Sequence, residues 1–280
     1  MKVEINHFDR RNYLKTVAKV KKVKTICQEA NCPNRYECFA AKTATFLLLG
    51  NICTRSCYYC GVKKGVPLKF TVKTAQNEIA EIIKIIADFK LEYVVLTQVT
   101  RDDLEDGGAN HIVNVIRAIR ERFPLVKIEV LISDLNGNDK ALAKILAAKP
   151  DVLNHNIEIV EKYFSKLRPQ GDYNRSLALL NKSQNVVLKS GFMVGFGESE
   201  ADIMQTLNDL YESGVSVVTI GQYLPPSEES YPLQKLYSKK AFVELGKKAE
   251  KIGFEKVVAG VLVRSSYRAK ECLNEKMAVA

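Results

Sequence analysis

Apolar and polar positions change period along the chain in a regular order. Thr43 to Leu49 (TATFLLL) is an unbroken apolar and β-branched run stopped by Gly50, which predicts a buried strand. Further on the period lengthens: Ile79, Ile82, Ile83 and Ile86 recur at helical spacing and predict a helix over 74–89. Runs of the two kinds then alternate. Strands are predicted at 92–97, 127–132, 151–155, 185–194 and 215–220, and helices at 109–122, 138–148, 174–183, 200–213 and 238–252. A last short apolar run spans Val257 to Val263. Alternation at this spacing means βαβ units and a parallel sheet. Six strong strands fit a full barrel, a partial barrel or a doubly wound sheet. No G-x-G-x-x-G follows the first strand, which weakens the dinucleotide-binding version of the last.

Composition narrows the setting. A chain of 280 residues, 46% of them hydrophobic, buries a sizeable core in one or two domains without disulfide staples. Residues 1–24 are polar and basic, with an amphipathic hint at Tyr13, Val17 and Val20, and read as a short helix or arm. No N-terminal apolar segment of signal-peptide length is present and no run approaches about 18 apolar residues, so a cytoplasmic protein with no membrane role is expected. The net charge of +10 favours an acidic partner. Lysine dominates that excess and no RNA-binding motif accompanies it, so no nucleic-acid role is expected.

The cysteines change the picture most. Six of the seven fall between residues 27 and 60, as Cys27-x4-Cys32-x5-Cys38 and Cys53-x3-Cys57-x2-Cys60. In a reducing compartment clustered cysteines read as metal ligands. Structural zinc prefers four closed ligands, and no histidine lies within or near either triplet. Two [4Fe–4S] clusters fit better, each with one iron that no cysteine ligates. The first triplet reads as loop and short turns around Pro33, and the second as a loop at the C-terminal end of the first strand. Cys272 stands alone near the C-terminus.

In a barrel, chemistry collects at the C-terminal ends of the strands. Polar residues gather there: Cys53 to Cys60; Thr97 with Arg101, Asp102 and Asp103; Ser133 and Asp134; Asn154 to Glu158; Gly195 to Glu198; Gln222 and Tyr223.

Cys53-x3-Cys57-x2-Cys60, with Tyr59 before the last cysteine, resembles the signature of radical S-adenosylmethionine (SAM) enzymes. The first triplet is similar to the auxiliary-cluster motif of the lipoyl synthase family. So are TRDDLEDGGA (100–109), DVLNHNIE (151–158), RPQGDYNRSL (168–177), KSGFMVGFGE (189–198), TIGQYLPPS (219–227) and VRSSY (263–267). The likeness runs from about residue 24 to 269. Two stretches depart from the family pattern, GVKKGVPLKF (61–70) and PPSEESYP (225–232), and bear on partner recognition.

What the resemblance implies is specific. The fold would be a partial (β/α)6 TIM-type barrel whose N- and C-terminal extensions cover the open top. Residues 1–42 would carry the auxiliary motif, 43–237 the barrel, and 238–280 a helix and the RSSY segment that closes over it. Cys53, Cys57 and Cys60 would hold the cluster that binds SAM through its open iron and cleaves it to a 5′-deoxyadenosyl radical. Cys27, Cys32 and Cys38 would hold the second cluster, the sulfur donor, with Ser266 as its fourth ligand and Ser265 as the alternative. Tyr59, Thr97, Asp134, Asn154, Gly191, Met193, Gly195 and Glu198 would contact SAM or substrate. The implied reaction places two sulfur atoms on C6 and C8 of a protein-bound octanoyl-lysine. Implied partners are octanoylated acceptors (lipoyl domains of dehydrogenase complexes, the glycine-cleavage H protein), an electron donor such as ferredoxin or flavodoxin, and an iron–sulfur carrier. The alternatives are another two-cluster radical SAM enzyme, or a non-catalytic metal-binding or electron-transfer protein.

Overall fold

The computed structural model describes residues 34–274, so the basic arm, Cys27 and Cys32 lie outside the described residues. A short helix α1 (Arg35–Ala40) leads into β1 (Thr43–Leu48). A two-residue pair, β2 (Ile52–Cys53) and β3 (Lys63–Lys64), brackets the second cysteine triplet. Then follow α2 (Val72–Phe89), β4 (Tyr93–Gln98), α3 (Ala109–Arg122), β5 (Lys127–Leu131), α4 (Asp139–Ala147), β6 (Val152–Asn154), α5 (Glu161–Leu167) and α6 (Tyr173–Asn181). The chain continues through β7 (Val187–Val194), α7 (Glu200–Glu212), β8 (Val217–Gln222), α8 (Lys239–Ile252), β9 (Lys256–Gly260) and α9 (Glu271–Asn274).

Seven strands form one sheet in the order β1-β4-β5-β6-β7-β8-β9, and every neighbouring pair is parallel. β1 and β9 are not paired with each other, so the barrel is partial and open. The seventh strand comes from the last short apolar run: Val217 to Gly221 of β8 pair with Lys256 to Gly260. Half-buried along its whole length, β9 is an edge strand, which is why its hydrophobic signal is short.

Outward-facing strand residues meet the helices. Ile82 and Ile86 of α2, with Ile112, Ile116 and Ile119 of α3, pack with Val94, Leu96, Ile128 and Val130. A second apolar cluster joins Leu207 and Leu210 of α7 and Phe242 of α8 to Phe192, Val218 and Ile220. Helix starts are capped by side chains: Thr71, Asn138, Asp172 and Ser238 each accept a backbone N–H of the first turn, and Ser199 with Asp202 forms a capping box.

Inward-facing residues alternate with these. Across the interior Tyr93 Oη and Asn154 Nδ2 each donate to Glu129 at 2.7 Å, and Lys189 Nζ lies 3.2 Å from the same carboxylate. All four are buried. The desolvation cost of burying this ion pair is offset only because the surrounding hydrogen bonds satisfy it. Ala269, in the segment after β9, packs on Tyr93 and Val95, so that segment runs against this interior face.

Candidate active site

The loop carrying Cys53, Cys57 and Cys60 leaves β1 and crosses the C-terminal ends of the strands. Four anchors fix its path. Thr54 N–H donates to the Thr100 carbonyl at 3.1 Å, Tyr58 N–H to Leu167 at 2.9 Å, and Tyr231 N–H to Tyr58 at 2.9 Å. The fourth is Arg55, whose buried guanidinium grips Asp102 (Nε–Oδ2 2.7 Å, Nη2–Oδ1 2.9 Å) and Asp134 (Nη2–Oδ1 2.6 Å). Asp134 also binds Arg175 through its other oxygen, 2.9 Å from Nε. Burial opposes charge on Asp134, yet the Arg55 guanidinium and the Asn136 N–H hold its carboxyl far below the usual range.

Cys57 and Cys60 sense their surroundings. Burial raises Cys57, with Arg168 and the Tyr59 hydroxyl opposing it. Burial pushes Cys60 up to about 11, and negative charge on Cys57, Glu158 and Cys53 adds to the rise. Left alone these two would be neutral thiols at pH 7; a bound iron ion would deprotonate them. Tyr59 also places its ring edge-on to Phe196, centroids 6.3 Å apart.

Facing the loop is a wall built from β6, β7 and the segment after β9. Asn156, Glu158, Gly191, Met193, Arg264 and Ser265 line one cavity there. The pairing of β6 with β7 resumes beyond Asn154: Glu158 N–H donates to the Gly191 carbonyl at 3.0 Å and Met193 N–H to the Glu158 carbonyl at 2.8 Å. Glu158 adopts φ 73°, a left-handed conformation unfavourable for a residue with a Cβ. Burial raises its carboxyl against the pull of Arg168.

Three expected cofactor contacts have other partners. Asn154 is fully buried one rung below the cavity and donates to Glu129; Asn156 and Glu158, further along the same extended chain, face the cavity instead. Asp134 is consumed by Arg55 and Arg175. Glu198 accepts the N–H groups of Gly195 and Phe196 and the Tyr237 hydroxyl, each at 2.8 Å, and so shapes the turn after β7. Gly195 sits at φ 126°, a conformation that favours glycine, within that turn. Thr97 is buried at the end of β4.

The C-terminal segment meets α1. Asn34 Nδ2 donates to the Leu262 carbonyl at 2.7 Å, and the Tyr267 hydroxyl to the Glu37 carboxylate at 3.1 Å. Cys38 and Tyr267 line a common cavity of about 250 Å³. The stretch around Cys38 is thus helical, not loop; Phe39, its ring tilted against that of Phe89 with centroids 5.2 Å apart, ties the helix to α2. Half-buried Ser266 lies between Ser265 and Tyr267, the residues that face these two cavities.

A family model of the radical SAM superfamily matches residues 47–210. The lipoyl synthase of Caldicellulosiruptor saccharolyticus is 48% identical over 251 residues, covering 88% of this chain and 87% of that protein. That of Alkaliphilus metalliredigens is 41% identical over 279 residues, covering 98% and 95%. The chain belongs to the lipoyl synthases of the radical SAM superfamily. Among solved structures, the hydrogenase maturase HydG of Carboxydothermus hydrogenoformans superposes with TM-score 0.60 at 13% identity, covering 97% of this chain and 80% of that one. Methylornithine synthase PylB gives 0.59 at 15% identity, covering 80% and 72%. At such identities the likeness is one of fold.

Membership in the radical SAM superfamily carries SAM and a [4Fe–4S] cluster as cofactors, and the site fits them. Arg55 Nη1, His155 Nε2, Asn156 Oδ1, and Arg168 Nε and Nη1 are all buried without a hydrogen-bond partner. Buried polar atoms are rarely left so, and this group surrounds the cysteine loop and cavity of a lipoyl synthase. Among the described residues no three Cys, His, Asp or Glu side chains are disposed to hold one metal ion. A cubane does not ask for that, since each of its irons takes its own thiolate. Sequence reasoning missed Arg55 and Arg168 as site residues; Asn156 and Glu158 were legible as the period-two continuation of Asn154.

Proposed function

We propose that the chain inserts two sulfur atoms, at C6 and C8, into an octanoyl chain carried on a lysine of an acceptor protein. The observation that carries this is one juxtaposition. The segment after β9 lines the cavity facing the Cys53–Cys60 loop through Ser265, and reaches the helix of Cys38 through Tyr267.

Cys53, Cys57 and Cys60 hold the SAM cluster. Arg168 offers two buried N–H donors beside Cys57 and Glu158, a fit for a carboxylate. Asn156 and Glu158 present acceptors for hydroxyl or amino groups. Tyr59, Thr97, Gly191, Met193 and Gly195 shape the walls, and Phe196, stacked on Tyr223 with centroids 4.2 Å apart, excludes water beneath the loop. Cys27, Cys32 and Cys38 hold a second [4Fe–4S] cluster, with Ser266 as its fourth ligand. When bound, the cofactors supply a carbon radical able to break unactivated C–H bonds, and the sulfur that replaces the hydrogen.

This reading divides the chain into an extension (1–42), a barrel (43–237) and a closing segment (238–280). It assigns a cytoplasmic setting; no described helix is long and apolar enough to cross a membrane. Acceptors would be lipoyl domains of dehydrogenase complexes or the glycine-cleavage H protein. Ferredoxin or flavodoxin would supply electrons and an iron–sulfur carrier would rebuild the second cluster. Anaerobically purified protein should hold about eight irons per chain. Incubated with SAM, a reductant and an octanoyl-lysyl peptide, it should yield a dithiol product heavier by two sulfurs, which loses two hydrogens only on later oxidation to the disulfide. Zinc in place of iron, or SAM cleavage with no sulfur-bearing product, would overturn the proposal.

A further inference from the structure

Reductive SAM cleavage consumes one electron per event, which must reach the Cys53–Cys60 loop from outside. The backbone of Cys53 has a neighbour on the surface. β2 and β3 pair with Cys53 opposite Lys64, and the Gly65 N–H donates to the Cys53 carbonyl at 3.0 Å. Paired strands run about 4.8 Å apart. Residues 63–65 therefore lie one strand spacing from the first cysteine of the loop.

This ribbon and the chain leading into α2 make a surface of unusual composition. Lys63, Lys64, Lys69 and Lys73 are exposed. Among them stand Val66, 91% exposed, Leu68, 84%, and Val72, 75%. Such apolar side chains beside charged ones mark an interaction site. No Asp or Glu occurs between Glu37 and Glu78, so the lysines have no acidic neighbour within this stretch of sequence. The first turn of α2 also lacks an acidic residue, leaving its positive end uncompensated.

We propose that this surface docks a small acidic electron-transfer protein. The inference rests on the reading above that Cys53, Cys57 and Cys60 hold the SAM cluster. One electron leaves the reduced flavin or iron–sulfur centre of the donor, which is oxidised, and reduces the cluster; no atom changes hands. An octanoylated acceptor suits the surface less well. Its lysyl arm must enter the cavity lined by Gly191, Met193 and Ser265, and none of these lysines or apolar residues lines that cavity.

The test compares the holoenzyme with a Lys63→Glu/Lys64→Glu variant and with Leu68→Ser, using a bacterial flavodoxin as probe. Titration should show the charge reversal weakening flavodoxin binding by ~10-fold or more, and parent affinity falling as salt rises from ~50 to ~300 mM. Leu68→Ser should weaken binding without altering the salt slope. Bleaching of the iron–sulfur absorbance by reduced flavodoxin should slow in both variants, while dithionite-driven SAM cleavage stays at the parent rate. Unchanged flavodoxin affinity and reduction rate would overturn the proposal. So would a defect confined to KM for an octanoylated acceptor protein, which would make this the acceptor's surface. Failure of dithionite to drive SAM cleavage in the parent would count against the cluster assignment, and the titration would still read the surface.

Discussion

Arg55, midway between Cys53 and Cys57, binds Asp134 through a 2.6 Å contact between Nη2 and Oδ1, and both side chains are almost wholly buried. The cysteine loop is thereby fixed to the end of β5, and through Asp102 to the end of β4. Asp134 contributes by positioning the loop. Its depressed pKa means that this contribution is present above the unfolded value of about 3.9 and is lost as pH falls through the folded value below it.

Arg55→Ala should be among the most damaging single changes in the chain. It leaves Asp134 with Arg175 and the Asn136 N–H, and takes the guanidinium from Asp102. Breaking a buried pair on one side costs about 3–5 kcal/mol, with the Arg175 contact keeping the loss toward the lower figure. Arg55→Lys should recover only part, since an ammonium cannot bridge two carboxylates in the same fork. Urea unfolding reads the stability and iron content reads the loop. Full iron retention at parent stability in Arg55→Ala would sink the idea.

His155 gives the chain a pH dependence on the acid side. Burial, and then the charge of Arg168, lower its pKa to about 4, and its Nδ1 bonds the Ile132 carbonyl at 2.9 Å. The unfolded chain, titrating near 6.5, binds the proton that the folded chain refuses. Stability is therefore complete above about pH 6.5 and declines as pH falls toward 4. Between pH 7.5 and 5.5 the loss should be about 1 kcal/mol by linkage, seen as a lower urea midpoint. His155→Gln should remove this slope, and an equal slope in that variant would assign it elsewhere.

Gly191 stands opposite Thr219 in the pairing of β7 with β8. A Cβ there would overlap the Thr219 hydroxyl and come within 3.3 Å of Asn156 Oδ1, so the glycine sets both the strand approach and the position of a cavity side chain. Gly191→Ala should cost about 1–3 kcal/mol, as overpacking does, and should weaken SAM binding. Thr219→Ala in the same background removes the overlapping hydroxyl and leaves a tight 3.2 Å approach to the Thr219 carbonyl, from which the strand must yield by a few tenths of an ångström. Part of the stability should then return. A double variant no more stable than Gly191→Ala would show that the hydroxyl is not the obstacle.

Much of this was legible before any coordinates. Period and length placed six strands and the long helices, because each buries one face continuously; the predicted helix over 109–122 coincides with α3. The short α5 carries too few apolar positions to announce itself, and the short apolar run that forms the edge strand β9 stands out in sequence but falls short of the six strong strands. The cysteine spacing identified the loop but not what holds it. Arg55 and Arg168 look like surface cations in sequence, and only their distance in space from Asp102, Asp134 and Cys57 reveals them. Asp134 and Glu198 show the converse: polar residues at strand ends advertise chemistry, yet each is taken up in building the frame, as is the Nδ2 of Asn154, whose Oδ1 is left without a partner. One dimension cannot tell a carboxylate that faces a cavity from one that faces an arginine.

Ser266 is the residue on which sulfur insertion should turn. On the proposed reading three cysteines would leave one iron of a second cluster open, and the segment after β9 brings serine hydroxyls toward the helix of Cys38. Ser265 faces the cavity of Gly191 and Met193, where the proposed function places SAM. Tyr267 reaches Glu37, on the helix of Cys38. Between them Ser266 is the hydroxyl nearer in sequence to the Cys38 contact. Cys272 is a poorer candidate: it is buried, and its Sγ donates to the Arg268 carbonyl at 3.6 Å. Ser266→Ala should therefore still make 5′-deoxyadenosine but insert little or no sulfur. Ser266→Cys should hold its second cluster more firmly and also fail to insert sulfur, because thiolate leaves soft iron less readily than oxygen does. Ser265→Ala should instead weaken SAM binding. These variants separate in one assay that measures 5′-deoxyadenosine and sulfur-bearing peptide together. If Ser266→Ala makes lipoyl product at the parent rate while Ser265→Ala or Cys272→Ala does not, the ligand is that other residue.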